Sequence, residues 1–271
     1  MSHPVALDIV IVSFNTRDDL RACLASLHAS PPACPHQICV VDNASTDGSV
    51  AMVQQEFPRV TVVQMGRNAG FAAANNAGIR SLNAPLVLLL NSDTEVPPRA
   101  LDTLMARMDA RGATAAGPRL VDREGRPEMS WGSMLSPLTE AIQALRVRAS
   151  ASQRRWARGW ITRLTSRERL VDWVTGACLL VRRDAAERVG LLDERYFMYE
   201  EDVDFCAALR AAGGTILFTP DATVLHARGR SSRGIQGGAA ALYDRSHVLF
   251  YEKHAPQWLP WLRWWKRRRT H

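Results

Sequence analysis

Apolar residues alternate between two rhythms along the first hundred positions. Leu7–Ser13 (LDIVIVS) is a nearly continuous β-branched run, as expected of a strand buried on both faces. Thr16 to Ser30 then spaces Leu20, Leu24 and Leu27 along one helix face and stops at Pro31-Pro32. The alternation continues with a strand over Gln37–Asp42, a helix over Thr46–Phe57 and a strand over Val60–Gln64. An alanine-rich helix over Gly70–Ser81, a strand over Ala84–Asn91 and a helix opened by Pro97-Pro98 complete the series. Repeated units of this kind predict an α/β fold with a mostly parallel sheet under helices.

The second half is less regular. Val171–Arg182 reads as a strand, or a loop entering one, and Glu201–Ala212 as a helix closed by Gly213-Gly214. Short strands are predicted at Thr215–Phe218 and Thr223–His226. A helix follows at Gly238–His254, then a tail, Trp258–Arg269, in which four tryptophans sit among basic residues.

Composition narrows the class. The chain has 271 residues, 46% hydrophobic and 23% charged, which is ordinary globular usage. Its longest strongly apolar run before the tail, Ala84–Leu90, is far below the ~18 residues that cross a bilayer. The opening MSHPVALD has no basic patch followed by an apolar stretch, so no secretory signal is read there. The expected location is the cytoplasm, peripheral at the cytosolic face of the inner or plasma membrane. Five cysteines without a CxxC pair suit neither a metal knuckle nor a disulfide framework.

Charge changes the picture more. The net charge is +7, and the segment Arg146–Arg169 alone holds eight arginines against one acid, Glu168. Trp156 and Trp160 lie within it at helical spacing, which suits an amphipathic surface helix or a mobile flap. Such segregation points to an anionic partner, a membrane surface or nucleic acid, or simply to a solvated basic face. No nucleic-acid motif is present and the polar rim described next is acidic, so nucleic acid is not the expected partner. The Gly238–His254 helix and the tail offer a surface on which a second subunit could pack.

Ligands of such sheets bind beyond the carboxyl ends of the strands. Polar clusters stand at three of those ends: Ser13-Phe14-Asn15, Asp42 to Gly48, and Asn91-Ser92-Asp93-Thr94. Loop and cap chemistry would favour the same residues. There is no GxGxxG after the first strand, no GxxxxGK[ST] and no GxSxG, which argues against a dinucleotide-binding dehydrogenase, a P-loop ATPase and an α/β-hydrolase. Asp42 either shapes an Asx-turn or accepts a hydrogen bond from a base or sugar. Asp93, after LVLLLNS, suits a hard divalent cation but needs a second ligand, and His226 is a candidate. Arginines after His226 are candidate phosphate contacts. In Tyr199 to Asp204, acids favour a helix N-terminus, yet one carboxylate facing a cleft could serve as a general base.

IVIVSFNTRDDLRACLASL, VVDNASTDGS, RNAGFAAANNAG, LLLNSDTEVPP, TGACLLVRR, GLLDERYFMYEEDVDFCAALRAAG and LHARGRS occur in this order. Together they resemble glycosyltransferase family 2, and within it the rhamnosyltransferase-like proteins of cell-surface polysaccharide assembly. The resemblance covers Asp8–Ala110 and Val171–His254. It implies a GT-A fold, Rossmann-like, with a mixed, mostly parallel central sheet, here followed by a helical tail. The GT-A domain would span 1–255, with a nucleotide-binding half at 1–118, a basic insert at 146–169, an acceptor and catalytic half at 171–255, and a Trp/Arg-rich tail at 256–271.

The resemblance also implies inverting transfer of a hexose, here rhamnose from dTDP-rhamnose, to a glycan or polyprenyl-linked glycan. By residue, it implies that Asp42 binds the base while Ser13, Phe14 and Asn15 line the nucleotide site, with Arg67 and Asn68 beside the donor. Asn91-Ser92-Asp93 matches the metal-binding DxD-like motif with its first acid missing. Glu201-Asp202 matches the catalytic pair, with Asp202 the base. His226 would join Asp93 on Mg²⁺ or Mn²⁺, and Gly176 and Ala177 would floor the sugar site. A UDP-sugar donor, or a catalytically silent nucleotide-sugar-binding scaffold at the membrane, are the alternatives.

Overall fold

The computed structural model describes residues 4–152, 154–227 and 238–269. The first half runs β1 (Leu7–Ser13), α1 (Arg17–Ala29), β2 (His36–Asp42), α2 (Ser49–Glu56), β3 (Thr61–Gln64), α3 (Phe71–Arg80), β4 (Leu86–Asn91), β5 (Thr94–Glu95) and α4 (Ala100–Ala110). The second continues with β6 (Ala115–Val121), β7 (Trp131–Gly132), α5 (Pro137–Ser150), α6 (Arg155–Leu164), β8 (Arg169–Val171), β9 (Trp173–Val174) and β10 (Cys178–Arg182). Then follow α7 (Arg183–Arg188), α8 (Glu201–Ala211), β11 (Ile216–His226), α9 (Ala239–His254) and α10 (Leu259–Arg269).

The main sheet has nine strands in the order β3-β2-β1-β4-β10-β6-β11-β5, with β8 also paired to β11. β3, β2, β1, β4, β6 and β11 point one way, and β10, β5 and β8 oppose them. The sheet is therefore mixed and mostly parallel, as expected.

Each central strand is apolar throughout because both faces are covered. Ile9 and Ile11 point to one face, beneath Leu20, Leu24 and Leu27 of α1 and Leu101 and Leu104 of α4. Val10 points to the other, against Ala72 and Ile79 of α3 and among Phe205 and Leu209 of α8. Helix α3 approaches closely at Gly78, where a Cβ would stand 2.4 Å from Val10 Cγ1. A separate cluster of Tyr196, Val203, Phe250, Tyr251 and Leu262 attaches α9 and α10.

Three expectations shift. The helix read from Thr46 begins at Ser49, because Asp47 Oδ1 accepts from the Ser49 N–H at 3.0 Å and Gly48 takes a left-handed φ of 84°. The helix read from Pro97-Pro98 begins at Ala100, after Arg99 at φ 66°. The two short strands near 215 and 223 are one strand, β11, with an irregularity between Thr219 and Thr223 around Pro220. Gly213-Gly214 closes α8 as expected, Gly213 taking φ 85° and its N–H reaching the Arg210 carbonyl at 2.9 Å. The basic insert is two helices, α5 and α6, the first beginning upstream at Pro137.

One buried ion pair ties the first strand to the second half. Asp8, fully buried, accepts from Arg183 Nη2 at 2.8 Å and from the Ala84 N–H at 2.6 Å. Arg183 also donates to the carbonyls of Ala84 and Ile79. Arg183→Ala leaves the Asp8 carboxylate without its counter-charge and is expected to destabilise the fold by about 3–5 kcal/mol, read as a lowered urea midpoint.

Candidate active site

Strand register sets the rim. Ser13 lies opposite Asp42, and Val12 opposite Asn91, so β1, β2 and β4 end at one level. Ser13 Oγ is 3.1 Å from Thr16 Oγ1, which is 2.9 Å from Ser92 Oγ, a buried hydroxyl chain joining two strand ends. Asp42 is buried, and its Oδ2 accepts from the Ser45 N–H at 3.0 Å, which is the Asx-turn. Its Oδ1 is buried without a hydrogen-bond partner. Asp42 thus shapes the turn with one oxygen and leaves the other open. Phe14 is half-buried. Asn15, at φ 53°, receives Thr46 N–H on Oδ1 at 2.8 Å and gives its own N–H to Ser45 Oγ at 3.0 Å.

The next loop hangs from Asn43, which the sequence did not single out. Its Nδ2 donates to Asn68 Oδ1 at 2.9 Å and to the Gly70 carbonyl at 3.1 Å, while Oδ1 accepts from the Ala69 N–H at 2.8 Å. Asn68 is therefore occupied in holding its own loop, and Arg67 beside it is exposed. Gly70 is pressed against the opposite segment: a Cβ there would stand 2.4 Å from the Phe197 carbonyl oxygen, at φ 89°.

Asp93 and His226 meet because β5 pairs with the end of β11, Thr94 opposite His226. Asp93 Oδ1 is 3.3 Å from His226 Nε2 without the alignment of a hydrogen bond, and is otherwise buried without a partner. On the far side of the ring, Nδ1 is 3.1 Å from Glu128 Oε2. Burial opposes charge on this ring, but the two flanking carboxylates outweigh it and raise the pKa to about 9. Glu128 belongs to a stretch without recognisable pattern. It is placed by its N–H bond to the Leu120 carbonyl at 2.9 Å, and no local signal points to it.

The segment Thr175–Ala177 bridges this corner to the acidic helix end. The Asn91 N–H donates to the Ala177 carbonyl at 3.0 Å, and the Gly176 N–H donates to Asp202 Oδ2 at 2.8 Å. Asp202 Oδ1 accepts from the Val203 N–H at 2.8 Å. A Cβ on Gly176 would lie 3.2 Å from the Phe71 ring and 3.4 Å from Asp202 Cβ, so little more than glycine fits. Burial, helped by Glu200, raises the Asp202 pKa, though the Gly176 N–H works against the shift. Glu201, buried with Oε2 unpartnered, is raised well above the usual carboxylate range by burial and then by Asp202.

The turn before these acids is strained, Tyr199 and Glu200 both standing at positive φ (70° and 65°). A buried network holds it. Glu200 Oε1 is 3.2 Å from His247 Nδ1, His247 Nε2 is 3.3 Å from Glu140 Oε2, and the Tyr251 hydroxyl donates to Glu140. Val203, Phe205 and Cys206 face the core.

A model of glycosyl transferase family 2 matches residues 8–190. The chain belongs to this family. This family 2 glycosyltransferase is 32% identical over 277 residues to N-acetylglucosaminyl-diphospho-decaprenol L-rhamnosyltransferase of Mycobacterium tuberculosis, with 95% of this chain and 88% of the relative covered. Among solved structures it is similar to GalNAc-T7 with UDP, GalNAc and Mn²⁺, at TM-score 0.65 and 16% identity, over 92% of this chain and 48% of that one. It is also similar to mannosyltransferase PcManGT from Pyrobaculum calidifontis in complex with GDP-Man and Mn²⁺, at TM-score 0.62 and 17% identity, over 97% and 69%. The glycosyltransferase spans about half the length of the first and about two thirds of the second. The likeness shows the GT-A fold expected from the sequence.

A divalent cation is implied by the fold family. Among the described residues no three His, Cys, Asp or Glu side chains converge as a metal-holding group. The transferase nonetheless carries a fitting pair: a buried carboxylate oxygen without a hydrogen bond, facing an imidazole whose other nitrogen a carboxylate holds. Two such ligands suit an ion that takes the rest of its coordination from diphosphate oxygens and water. The candidate phosphate contacts Arg228 and Arg230 lie outside the described residues.

Asn43→Ala would strip the Gly70 carbonyl and the Ala69 N–H of their partners at once. The expected cost is about 1–3 kcal/mol, read as a lowered midpoint in denaturant unfolding.

Proposed function

We propose that this enzyme transfers rhamnose with inversion from dTDP-rhamnose to a polyprenyl-diphosphate-linked glycan, in cell-surface polysaccharide synthesis. One observation carries the reading: at the ligand rim of a family 2 fold, the buried oxygens Asp42 Oδ1, Asp93 Oδ1 and Glu201 Oε2 are left without hydrogen-bond partners. Such oxygens are costly to bury unless a ligand completes them. The relative's name, a rhamnosyltransferase acting on N-acetylglucosaminyl-diphospho-decaprenol, supports the choice of donor and acceptor.

In this reading Asp42 accepts from the base, and Ser13, Phe14, Asn15, Arg67 and Asn68 line the nucleotide. Asn91, Ser92 and Asp93 face the diphosphate, and Gly176 and Ala177 floor the sugar. Asp93 and His226 would hold Mg²⁺ or Mn²⁺, which when bound supplies positive charge against the leaving diphosphate. Asp202 takes the proton of the acceptor hydroxyl. Its two oxygens are aimed by the N–H groups of Gly176 and Val203, and burial makes it a stronger base than a surface aspartate. Burial raises the pKa of Glu201 as well, and Asp202 beside it adds to that shift. A lipid-linked acceptor puts the work at a membrane surface. Among the described residues no helix is long and apolar enough to cross one.

The test is a calorimetric screen of dTDP-rhamnose, UDP-sugars and GDP-sugars, each with and without Mn²⁺, followed by transfer to a polyprenyl-diphosphate-linked GlcNAc. Binding of dTDP-rhamnose strengthened by Mn²⁺ is expected. Selective binding of a UDP-sugar would replace the donor, and binding without turnover would favour the silent scaffold. Asp202→Asn is expected to lower turnover by ~10²–10⁴-fold with donor affinity unchanged. A base must be deprotonated to act, so a raised pKa moves the acid limb of kcat/KM upward. Activity should fall, as pH is lowered, at a higher pH than an ordinary aspartate would give. Glu128→Gln, which loosens the His226 ring, is expected to weaken Mn²⁺ binding in the presence of dTDP roughly 10–100-fold by calorimetry.

A further inference from the structure

Helix α5 is amphipathic in the wrong sense for a surface helix. Its inward side is polar: Gln143 Nε2 donates to the Trp131 carbonyl at 3.2 Å, Arg146 stacks on the Trp131 ring at 5.4 Å, and Glu140 meets Tyr251 and His247. Its outward side is apolar, with Leu138 71%, Ile142 39% and Leu145 59% exposed, at the i, i+4, i+7 spacing of one stripe. Helix α6 packs beside it, burying Ala157 and Ile161 while leaving Trp156 67% and Trp160 43% exposed one turn apart. Arg154, Arg155, Arg158 and Arg163 are all exposed around these rings. Glu168, the one acid between Arg146 and Arg169, is already engaged by Arg107 and Arg111 at 2.8 and 2.6 Å.

We infer that the α5–α6 hairpin is a docking surface for an anionic lipid bilayer, with Leu138, Ile142, Leu145, Trp156 and Trp160 entering the headgroup boundary. The charge and the apolar stripe together select this occupant. Indole rings and aliphatic side chains among uncompensated arginines match an anionic interface, where aromatic rings sit at headgroup depth and basic residues meet lipid phosphates. Nucleic acid has no use for three exposed aliphatic side chains in a row. A second copy of the chain would bring one arginine cluster against another. The tail is a poorer candidate than its composition suggests, because α10 is tied down: Leu262 is buried, and Arg263 and Lys266 pair with Glu252 and Asp244 of α9.

The same hairpin is wired to the catalytic turn. Glu140, in the first turn of α5, reaches Glu200 through His247, and Glu200 immediately precedes Glu201 and Asp202. Docking there holds the acceptor side of the site at the bilayer surface, where a polyprenyl-linked glycan is found; this part rests on the function proposed above.

The full chain is sedimented with vesicles of phosphatidylcholine alone and of equal parts phosphatidylcholine and phosphatidylglycerol, and dTDP-rhamnose binding is measured on the same preparations. Binding to the anionic vesicles only, weakened by salt, is expected. Substituting Leu138→Ser, Ile142→Ser and Leu145→Ser together should lower vesicle affinity roughly tenfold or more. Trp156→Ala with Trp160→Ala should act similarly, and both variants should keep wild-type donor binding and melting. No vesicle binding by the wild type, or none lost in either variant, overturns the inference. So does a solution dimer that the same substitutions disperse. Vesicle binding without dTDP-rhamnose binding keeps the docking surface and removes the dTDP-rhamnose reading; dTDP-rhamnose binding without vesicle binding does the reverse.

Discussion

The Asn91 N–H donates to the Ala177 carbonyl at 3.0 Å, and the alignment of the two halves of the site hangs on that bond. It extends the antiparallel pairing of β10 with β4, which sets Cys178 opposite Leu90 in the middle of a mostly parallel sheet. The peptide that holds Asp202, through Gly176, leads into the start of β10, and β4 leads into the peptide that carries Asp93. A slip of one residue between these strands would turn the side chains of β10 over and part the two carboxylates. The buried Asp8–Arg183 pair guards the same register from the other end of both strands.

Around that alignment the acids of the site share one economy. Asp42 commits one oxygen to the Ser45 N–H and keeps the other unpartnered. Asp202 instead receives a backbone N–H on each oxygen, which fixes its direction. The structural and ligand-binding readings of Asp42 are therefore compatible, since a turn needs only one of the two oxygens. His226 lies between two carboxylates, Asp93 and Glu128, which together raise its pKa to about 9 against the effect of burial. At the strained turn of Tyr199 and Glu200, the Glu200–His247–Glu140 chain performs the same service for a backbone that would relax without it.

The hairpin α5–α6 departs from these rules of burial, and it does so in one direction. Polar side chains line its inner face, where Gln143 donates to the Trp131 carbonyl and Arg146 stacks on the Trp131 ring, while apolar side chains meet solvent. The exposed stripe of Leu138, Ile142 and Leu145 is a cost to the isolated chain that a lipid surface would offset.

The framework of the first half was legible in the residues themselves. Leu7–Ser13 and Gln37–Asp42 are strands because runs of β-branched side chains suit a sheet buried on both faces. Asp42 and Asp93 could be placed at its rim because strand ends carry the ligand in such folds. Short-range chemistry of this kind, turn residues, helix spacing and strand runs, is written locally. What tertiary structure alone decided is who meets whom across long separations. Glu128 finds His226 across 98 residues, Asn43 holds the loop at Gly70, and Glu140 reaches Glu200 by way of His247. The inward turn of Gln143 and Arg146 was equally hidden, because a helical period names a stripe without saying which stripe faces the core. That choice belongs to Trp131 and its neighbours, and it exists only once the strands have brought them together.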